Sequence, residues 1–236
     1  MTARKTPATP AKKAPAKRAP RKAVPKVATS IFVPSRYLDQ AIAKVKPFAS
    51  TDTTFPRNNG VVIEMRDGIL TAFATDRFTL GCNEIEYSVD GEDKAPDFAT
   101  IIRLADLPLV SVLLKRSLGM PIEITPADGR ITLADTKVGE EVSPMDWRRS
   151  IASAVEKTSA NPDVNAAVSM NPVYLRRFAQ LKPRPAMRVS SALAPILVTS
   201  GDSFIGLLMP LREDGIPEEI ARRIGAISAK EKGGAA

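Results

Sequence analysis

The sequence predicts an α+β fold in which a strand–helix–three-strand unit, βαβββ, occurs three times. Short runs of alternating apolar residues are separated by turn signals such as Asp67-Gly68 and Asp128-Gly129, which is typical of antiparallel strands. Apolar residues at helical spacing precede each group of strands. The segments VPSRYLDQAIAKV and MNPVYLRRFAQLK share a Tyr-Leu pair at the same offset, which indicates an internal repeat.

The first unit begins at residue 28. Its first strand is predicted at Ser30–Val33, and Ser35 is the predicted N-cap of a helix that ends at Pro47. The apolar stripe of this helix comprises Leu38, Ala41, Ile42 and Val45. After a polar loop, strands are predicted at Val61–Met65, Ile69–Thr75 and Phe78–Tyr87, and the apolar alternation in the last two indicates that they are half-buried.

The second unit has a predicted strand at Phe98–Arg103. Its helix begins near Asp106, with Pro108 in the first turn, where a missing N–H costs little. The apolar side of the helix comprises Leu107, Val110, Leu114 and Leu118, and the strands are predicted at Ile122–Thr125, Ile131–Ala134 and Lys137–Val142. The two units form one domain, residues 28–142, and we expect a less regular connector over residues 143–164.

The third unit is predicted over residues 165–212. A strand at Ala166–Met170 leads to Asn171 as N-cap and Pro172 as the first helical residue. The inward-facing helix residues are Tyr174, Leu175, Phe178 and Leu181, and the strands are predicted at Met187–Ser191, Pro195–Thr199 and Phe204–Met209. In the extension, residues 213–236, a short helix is predicted from Ile220, Ile224 and Ile227.

The positive charge is concentrated at the N-terminus. The chain has a net charge of +8, whereas residues 1–26 alone contain nine Lys or Arg and no acidic residue. Repeated proline and like charge predict a disordered arm over residues 1–27. Such an arm attracts nucleic-acid phosphates without sequence preference, and the alternative is a solubilising tail.

Composition makes an enzyme the weaker class of function. The sequence contains no histidine and one cysteine, Cys82, which removes Ser-His and Cys-His catalysis, disulfides and most zinc sites. Cys82 is expected to be a buried small apolar residue. The acidic run Asp90–Asp93 is too short for a calcium loop. We expect no cofactor and no metal, no membrane span, and a cytoplasmic, nucleoid-associated protein.

Four segments in the same order resemble the bacterial sliding clamps, the β subunit of DNA polymerase III. Alone, the stretch LTAFATDRFTL is an ordinary antiparallel connection, but ATDRFTL (Ala74–Leu80) resembles the ATD-R-F/Y-R-L segment of these clamps. LLMPLR (Leu207–Arg212) is similar to the clamp C-terminus, MDWRRSI (Met145–Ile151) to the PDYRR segment, and NPVYL (Asn171–Leu175) to the last helix start.

The resemblance implies one full clamp domain plus a half domain, with sheets outside and helices lining a hole for duplex DNA. It also implies an apolar pocket that binds short peptides of polymerases and other clients. The pocket residues carried over are Thr75, Phe78, Thr79, Leu80, Leu207, Met209, Pro210, Leu211 and Arg212. Thr79 departs from the family pattern, which often has Arg at this position.

Basic helix residues are the expected contacts to DNA phosphates, weak enough for the protein to slide. The candidates are Lys44, Lys46, Arg57, Lys115, Arg116, Arg176, Arg177 and Lys182. A solvated polar face is the alternative for any single helix. Clamp rings contain twelve βαβββ units and this chain three, so we expect a homo-oligomer. The resemblance also suggests a clamp loader as a further partner. The basic arm and the shortened clamp together suggest a phage or mobile-element origin.

Two other functions remain open at this point. A monomeric interaction protein could use the pocket to sequester or regulate clients without encircling DNA. A general DNA-binding protein could act through the basic arm alone. The C-terminal extension could cover the client pocket.

Overall fold

The computed structural model describes residues 30–89, 94–117, 119–143, 146–160 and 168–211. The predicted basic arm, the Asp90–Asp93 loop, Leu118, Arg212 and the C-terminal extension lie outside these residues. The same holds for the first two residues of the strand predicted at Ala166–Met170.

The described residues form twelve strands and four α-helices. The helices are α1 (Ser35–Val45), α2 (Leu107–Arg116), α3 (Trp147–Ala160) and α4 (Pro172–Leu175), with 3-10 turns at Lys46–Phe48, Pro56–Asn58 and Arg176–Phe178. The strands are β1 (Ile31–Pro34), β2 (Gly60–Arg66), β3 (Ile69–Thr75), β4 (Thr79–Ile85), β5 (Phe98–Arg103), β6 (Pro121–Ala127), β7 (Arg130–Leu133), β8 (Thr136–Val138), β9 (Glu140–Glu141), β10 (Ala186–Arg188), β11 (Ile196–Ser200) and β12 (Phe204–Leu208).

The strands form two antiparallel sheets, and the predicted α+β class is confirmed. One sheet has the order β1-β6-β7-β8 and the other β10-β11-β12-β4-β3-β2-β5-β9. The first two units exchange their first strands, because β1 pairs with β6 and β5 pairs with β2. Asp67 and Asp128 have positive φ, as does the glycine after each of them, so both predicted hairpin turns form.

Helices α1 and α2 pack together and share one hydrophobic core with both sheets. The predicted stripe of α1 is buried, with Leu38, Ala41 and Val45 each 0% exposed. The predicted cap is wrong: Pro34 occupies the N-cap position, and Ser35 is the first helical residue. The Ser35 hydroxyl is buried and has no hydrogen-bond partner among the described residues.

The third unit continues the larger sheet, since β12 pairs with β4 of the first unit. Phe178 lies against Phe48, with ring centroids 4.8 Å apart, so the core of the third unit is joined to that of the first. Asn171 accepts a hydrogen bond from the Val173 N–H, which confirms the predicted cap. The helix is shorter than predicted, one α-turn and a 3-10 turn, and residues 168–170 are not a strand.

The segment expected to be a less regular connector contains α3, a 14-residue helix. Trp147, Ile151 and Ala154 pack on the opposite face of the larger sheet from α1, in a second core with Phe73 and Leu207. The central strands β2, β3 and β4 are therefore buried on both faces, whereas the alternation in β3 and β4 predicts half-buried strands. None of the described helices combines the length and hydropathy needed to span a membrane.

Candidate functional site

The turn between β3 and β4 is built around the Asp76 side chain. Its Oδ1 accepts hydrogen bonds from the backbone N–H groups of Phe78 (3.0 Å) and Thr79 (2.7 Å) and from the Thr79 hydroxyl (2.9 Å). The Thr75 hydroxyl donates to the Thr79 carbonyl oxygen at 2.7 Å. Arg77 has a positive φ of 81°, which is uncommon for a residue other than glycine. The Thr-Asp pair therefore fixes the shape of this turn.

Arg177 of the third unit holds this turn from outside. Its Nη1 lies 2.6 Å from Oδ2 of Asp76 and 2.5 Å from the Thr79 hydroxyl oxygen. The side chains of Asp76 and Arg177 are 8% and 20% exposed, so solvent screens the ion pair little. The Arg177 guanidinium is thus engaged within the protein, and we remove Arg177 from the proposed DNA contacts.

The two segments that resemble the clamp pocket are cross-strand neighbours. Leu80 on β4 pairs with Leu207 on β12, although 127 positions separate them in the sequence. Just beyond the strands, the Met209 N–H donates to the Phe78 carbonyl oxygen at 2.8 Å. Strand pairing between the first and third units therefore brings the two segments into one surface.

This surface is one wall of a groove with a volume of about 490 Å³. The groove is lined by Thr75, Arg77, Phe78, Thr79, Leu80, Asp146, Trp147, Arg149, Ser150, Ser153, Ala154, Lys157, Pro195, Leu207 and Met209. Of the predicted pocket residues, Thr75, Phe78, Thr79, Leu80, Leu207 and Met209 are among them. Pro210 and Leu211 lie outside the lining, and the Leu211 N–H instead donates to the Ser169 carbonyl oxygen at 2.8 Å.

Helix α3 supplies the opposite wall, which the sequence reasoning missed. Trp147 anchors it: the indole Nε1 donates to Oε2 of Glu64 at 3.1 Å, and Arg148 pairs with the same oxygen. The Trp147 ring also packs against Phe73, with centroids 5.2 Å apart. The spacing of Trp147, Ile151 and Ala154 at i, i+4 and i+7 was the signal for this helix.

The rim of the groove is aromatic and basic. Phe78 is 47% exposed and stacks on Tyr174, with centroids 5.5 Å apart and an interplanar angle of 12°. The Arg77 guanidinium lies 3.9 Å from the centroid of the Phe55 ring. Three basic side chains, Arg77, Arg149 and Lys157, line the groove beside the single acidic Asp146. The groove thus combines an apolar floor with a positively charged rim.

The remaining predicted DNA contacts differ in environment. Lys44 is half-buried, and its Nζ donates to Oδ1 of Asn83 at 3.2 Å. Lys44 lies in the last turn of α1, and Lys115 and Arg116 lie in the last turn of α2, where positive charge also complements the helix dipole. The exposed candidates are Lys46, Arg57, Lys115, Arg116, Arg176 and Lys182.

Cys82 on β4 is 6% exposed and belongs to the second core. Burial raises the pKa of its thiol from 9.0 to about 12, so the thiolate is not formed near neutral pH. In the part of the chain that the structure describes, no three His, Cys, Asp or Glu side chains are grouped so that they could hold a metal ion.

No family model matches the chain, and no curated protein matches it by sequence. Its structure is similar to that of the DNA polymerase III β subunit from Thermotoga maritima, with a TM-score of 0.57 and 16% identity over 84% of this chain and 70% of that one. Caulobacter crescentus pol III beta has a TM-score of 0.60 and 16% identity over 85% of this chain and 70% of that one. The Streptococcus pyogenes β subunit has a TM-score of 0.56 and 18% identity over 83% of this chain and 69% of that one. The chain therefore has the fold of the bacterial sliding clamps, the β subunits of DNA polymerase III, in a shortened form that spans about 70% of their length.

Proposed function

We propose that this protein is a sliding-clamp-like processivity factor that tethers replication or repair clients to duplex DNA. The observation that carries the proposal is the pairing of Leu80 with Leu207 inside a clamp fold, which joins the first and third units into one wall of an apolar groove. The protein then acts by recognition and not by catalysis, in the bacterial cytoplasm and at the nucleoid. Its partners are duplex DNA, a polymerase, other proteins with a clamp-binding motif, and a clamp loader.

The groove suits a short peptide with apolar anchors and acidic flanks. Leu80, Trp147 and Leu207 provide an apolar floor, and Met209, which is 40% exposed, adds an adaptable side chain at the edge. Arg77, Arg149 and Lys157 at the rim favour a negatively charged approach. A bacterial polymerase peptide with a clamp-binding motif is the expected occupant.

Peptide affinity can be separated from folding by substituting exposed residues. Phe78→Ala and Met209→Ala change side chains that are 47% and 40% exposed, so we expect the fold to persist. Leu80→Ala is a poorer probe, because Leu80 is 7% exposed in the second core and its truncation costs about 2–5 kcal/mol. The matched control is Val112→Ala on α2, where the side chain is 47% exposed away from the groove lining.

Fluorescence anisotropy with a labelled polymerase peptide is the measurement. We expect the Kd to rise about tenfold, or about 1.4 kcal/mol, in the Phe78→Ala and Met209→Ala variants and to stay unchanged in Val112→Ala. Equal affinities in all three variants would remove the groove from the proposal.

DNA association is proposed to use the exposed basic residues of the helices together with the arm. Replacing Lys115 and Arg116 with Gln should make the negative slope of log K against log salt shallower, by about 0.9 for each phosphate that the protein no longer neutralises. Deletion of residues 1–27 should weaken binding but leave retention on circular DNA partly intact. Loss of all DNA association on that deletion would favour a general DNA-binding protein that acts through the arm.

A client-binding protein that does not encircle DNA is the second candidate. The observation in its favour is that the first unit, α3 and the third unit together supply both walls of the groove, so peptide binding does not require a ring. Peptide binding together with no preference for closed circular over linear DNA would support this candidate.

A further inference from the structure

The first and second units complete each other through a reciprocal exchange of first strands. β1 of the first unit pairs with β6, the second strand of the second unit, and β5 of the second unit pairs with β2. The exchange removes the first strand from solvent: Ile31 and Val33 on β1 are both 0% exposed. A βαβββ unit of this protein is therefore fully packed only when a second unit gives and receives a strand.

The third unit places residues 168–170 where the first unit has β1. In the first unit, Phe32 exchanges two backbone hydrogen bonds of 2.8 Å with Ser88, three residues after the end of β4. In the third unit, the N–H of Leu211, three residues after the end of β12, donates to the Ser169 carbonyl oxygen at 2.8 Å. Phe32 and Ser169 each lie three residues before the first residue of their helix. The two units thus share the same internal geometry.

The strand exchange is incomplete in the third unit. Within the described residues, β10 pairs with β11 alone, and residues 168–170 belong to no strand. Val168 and Met170 are half-buried, although their counterparts on β1 are fully buried. Leu175 is half-buried, whereas Leu38 at the same position of the first unit is 0% exposed. Each of these residues therefore has a side that a second unit would cover.

We propose that a second copy of this chain completes the third unit, by a two-fold exchange in which residues 168–170 of each copy pair with β10 of the other. Among the described residues, no strand pairs with residues 168–170 and none pairs with the outer edge of β10, and these are the counterparts of the two parts that the first and second units exchange. Two identical third units satisfy both parts at once, as an isologous interface requires. A single added peptide would fill only one of them.

The register of the proposed pairing follows from the repeat. Ile63 of β2 pairs with Ala72 of β3, and Ala72 pairs with Asn83, which lies two residues before the end of β4. In the third unit, Met187 of β10 pairs with Val198 of β11, and Val198 pairs with Gly206, which lies two residues before the end of β12. In the second unit, Ile124 of β6 pairs with Leu133 of β7, which pairs with Thr136, two residues before the end of β8, and Ile124 also pairs with Ile31 of β1. The corresponding pair in the third unit is Met187 of one copy with Val168 of its partner.

The direction of the backbone groups gives a selective test. The backbone N–H and C=O groups of Phe32 point to Ser88. Because these groups alternate in direction along a strand, those of Ile31 and Val33 point the other way, towards β6, where Ile31 pairs with Ile124. By the same alternation, Met187 directs its N–H to the open edge of β10 and not to β11. Met187→Pro therefore removes a donor from the proposed interface without removing one from the β10–β11 pairing.

Light scattering coupled to size exclusion on the full chain, over a concentration series, is the first measurement. We expect a species of twice the 25.4 kDa chain mass that dissociates on dilution. Met187→Pro should shift the midpoint of dissociation to at least about tenfold higher concentration. Met187→Ala shortens the same side chain but keeps the N–H, and it should shift the midpoint much less. Equal behaviour of the Pro and Ala variants would overturn the assigned register.

Disulfide trapping is the second measurement, and it does not depend on tolerance of proline. The double variant Val168→Cys/Met187→Cys places the new thiols in an antiparallel pair, where Cα atoms about 5.5 Å apart allow a bridge. Mild oxidation should give a covalent dimer on a non-reducing gel, while buried Cys82 stays unreactive. The control is Val168→Cys/Leu193→Cys, since Leu193 is 63% exposed and lies outside the strands. A monomer in solution with no faster trapping than this control would overturn the proposal.

This interface is independent of the proposed client groove. Val168, Met170 and Met187 do not line the groove, so the Pro variant should bind the polymerase peptide with unchanged affinity. A chain that dimerises but binds no peptide would refute the groove and leave the strand exchange standing, and the reverse result would do the opposite. A dimer of this kind contains six βαβββ units, half the number in a clamp ring.

Discussion

The Nη1 atom of Arg177 lies 2.6 Å from Oδ2 of Asp76, a contact between residues that are 101 positions apart in the sequence. Asp76 shapes the β3–β4 turn with its other carboxylate oxygen, and Arg177 belongs to the 3-10 turn of the third unit. One ion pair therefore links the β3–β4 turn in the wall of the groove to the third unit, which supplies β12, the strand paired with β4 in the same wall. It couples the local turn geometry to the docking of the third unit.

We expect Arg177→Gln to lower the free energy of unfolding by about 2 kcal/mol, because it removes a charge-assisted hydrogen bond from a carboxylate that is 8% exposed. Urea unfolding measures the change. Arg176→Gln is the control: this neighbouring side chain is exposed, and its substitution should stay within about 0.5 kcal/mol. Equal stabilities of the two variants would mean that the ion pair does not hold the third unit.

The local elements of the first unit could be predicted from the sequence, because their signals are local. The alternation in β3 and β4 and the stripe of α1 each describe one face of one element. The pattern predicts Ser35 as the N-cap because a serine before a helix is a common cap, but in the structure Pro34 holds that position and the helix begins one residue earlier. Boundaries of this kind depend on neighbours that the pattern does not contain.

Ser35→Ala distinguishes the two interpretations of this residue by the sign of its effect. An N-cap serine replaced by alanine would cost about 1 kcal/mol. In the structure the Ser35 hydroxyl is buried without a described partner, so its removal should instead stabilise the protein by about 1 kcal/mol. Thermal or urea unfolding gives the sign directly. A destabilised variant would show that the hydroxyl makes a bond in solution.

Half of the groove could not be predicted, because α3 acquires its role only in three dimensions. The pocket segments are recognised through their resemblance, whereas Trp147 and Arg148 fall in the segment that the sequence predicts as a less regular connector. The partner that anchors both, Glu64, lies 83 positions before Trp147 in β2, and its carboxylate is nearly inaccessible to solvent. A buried acid in a strand is not recognisable as an anchor until the helix that covers it is placed.

Trp147→Ala should therefore detach α3 from the sheet. The indole is 6% exposed and contacts both Phe73 and the Glu64 carboxylate, so we expect a loss of about 3–5 kcal/mol in unfolding free energy. Val155→Ala on the same helix is the control, since its side chain is 41% exposed and should cost less than about 1 kcal/mol. A small effect of Trp147→Ala would contradict the proposed wall of the groove.

Cys82 gives the chain a specific dependence on high pH. Burial is the main cause of its raised thiol pKa, about 12 against 9.0; Glu64 and Glu84 raise it further, and Arg148 opposes them. Between these two values the unfolded chain loses the thiol proton while the folded chain keeps it. The unfolded state then binds fewer protons, so the free energy of unfolding must fall as pH rises above about 9, by about 1.4 kcal/mol at pH 10.

The comparison that isolates this effect is the wild-type chain against Cys82→Ala, because Lys and Tyr titrate in both. The difference in unfolding free energy between the two should be constant below pH 8 and should shift in favour of Cys82→Ala by about 1.4 kcal/mol at pH 10. In the folded chain, a thiol reagent at pH 8 should label Cys82 only as fast as the protein opens, since the thiolate is absent and the sulfur is buried. Labelling at the rate of a free thiol, or a difference that does not change with pH, would place Cys82 at the surface and not in the second core.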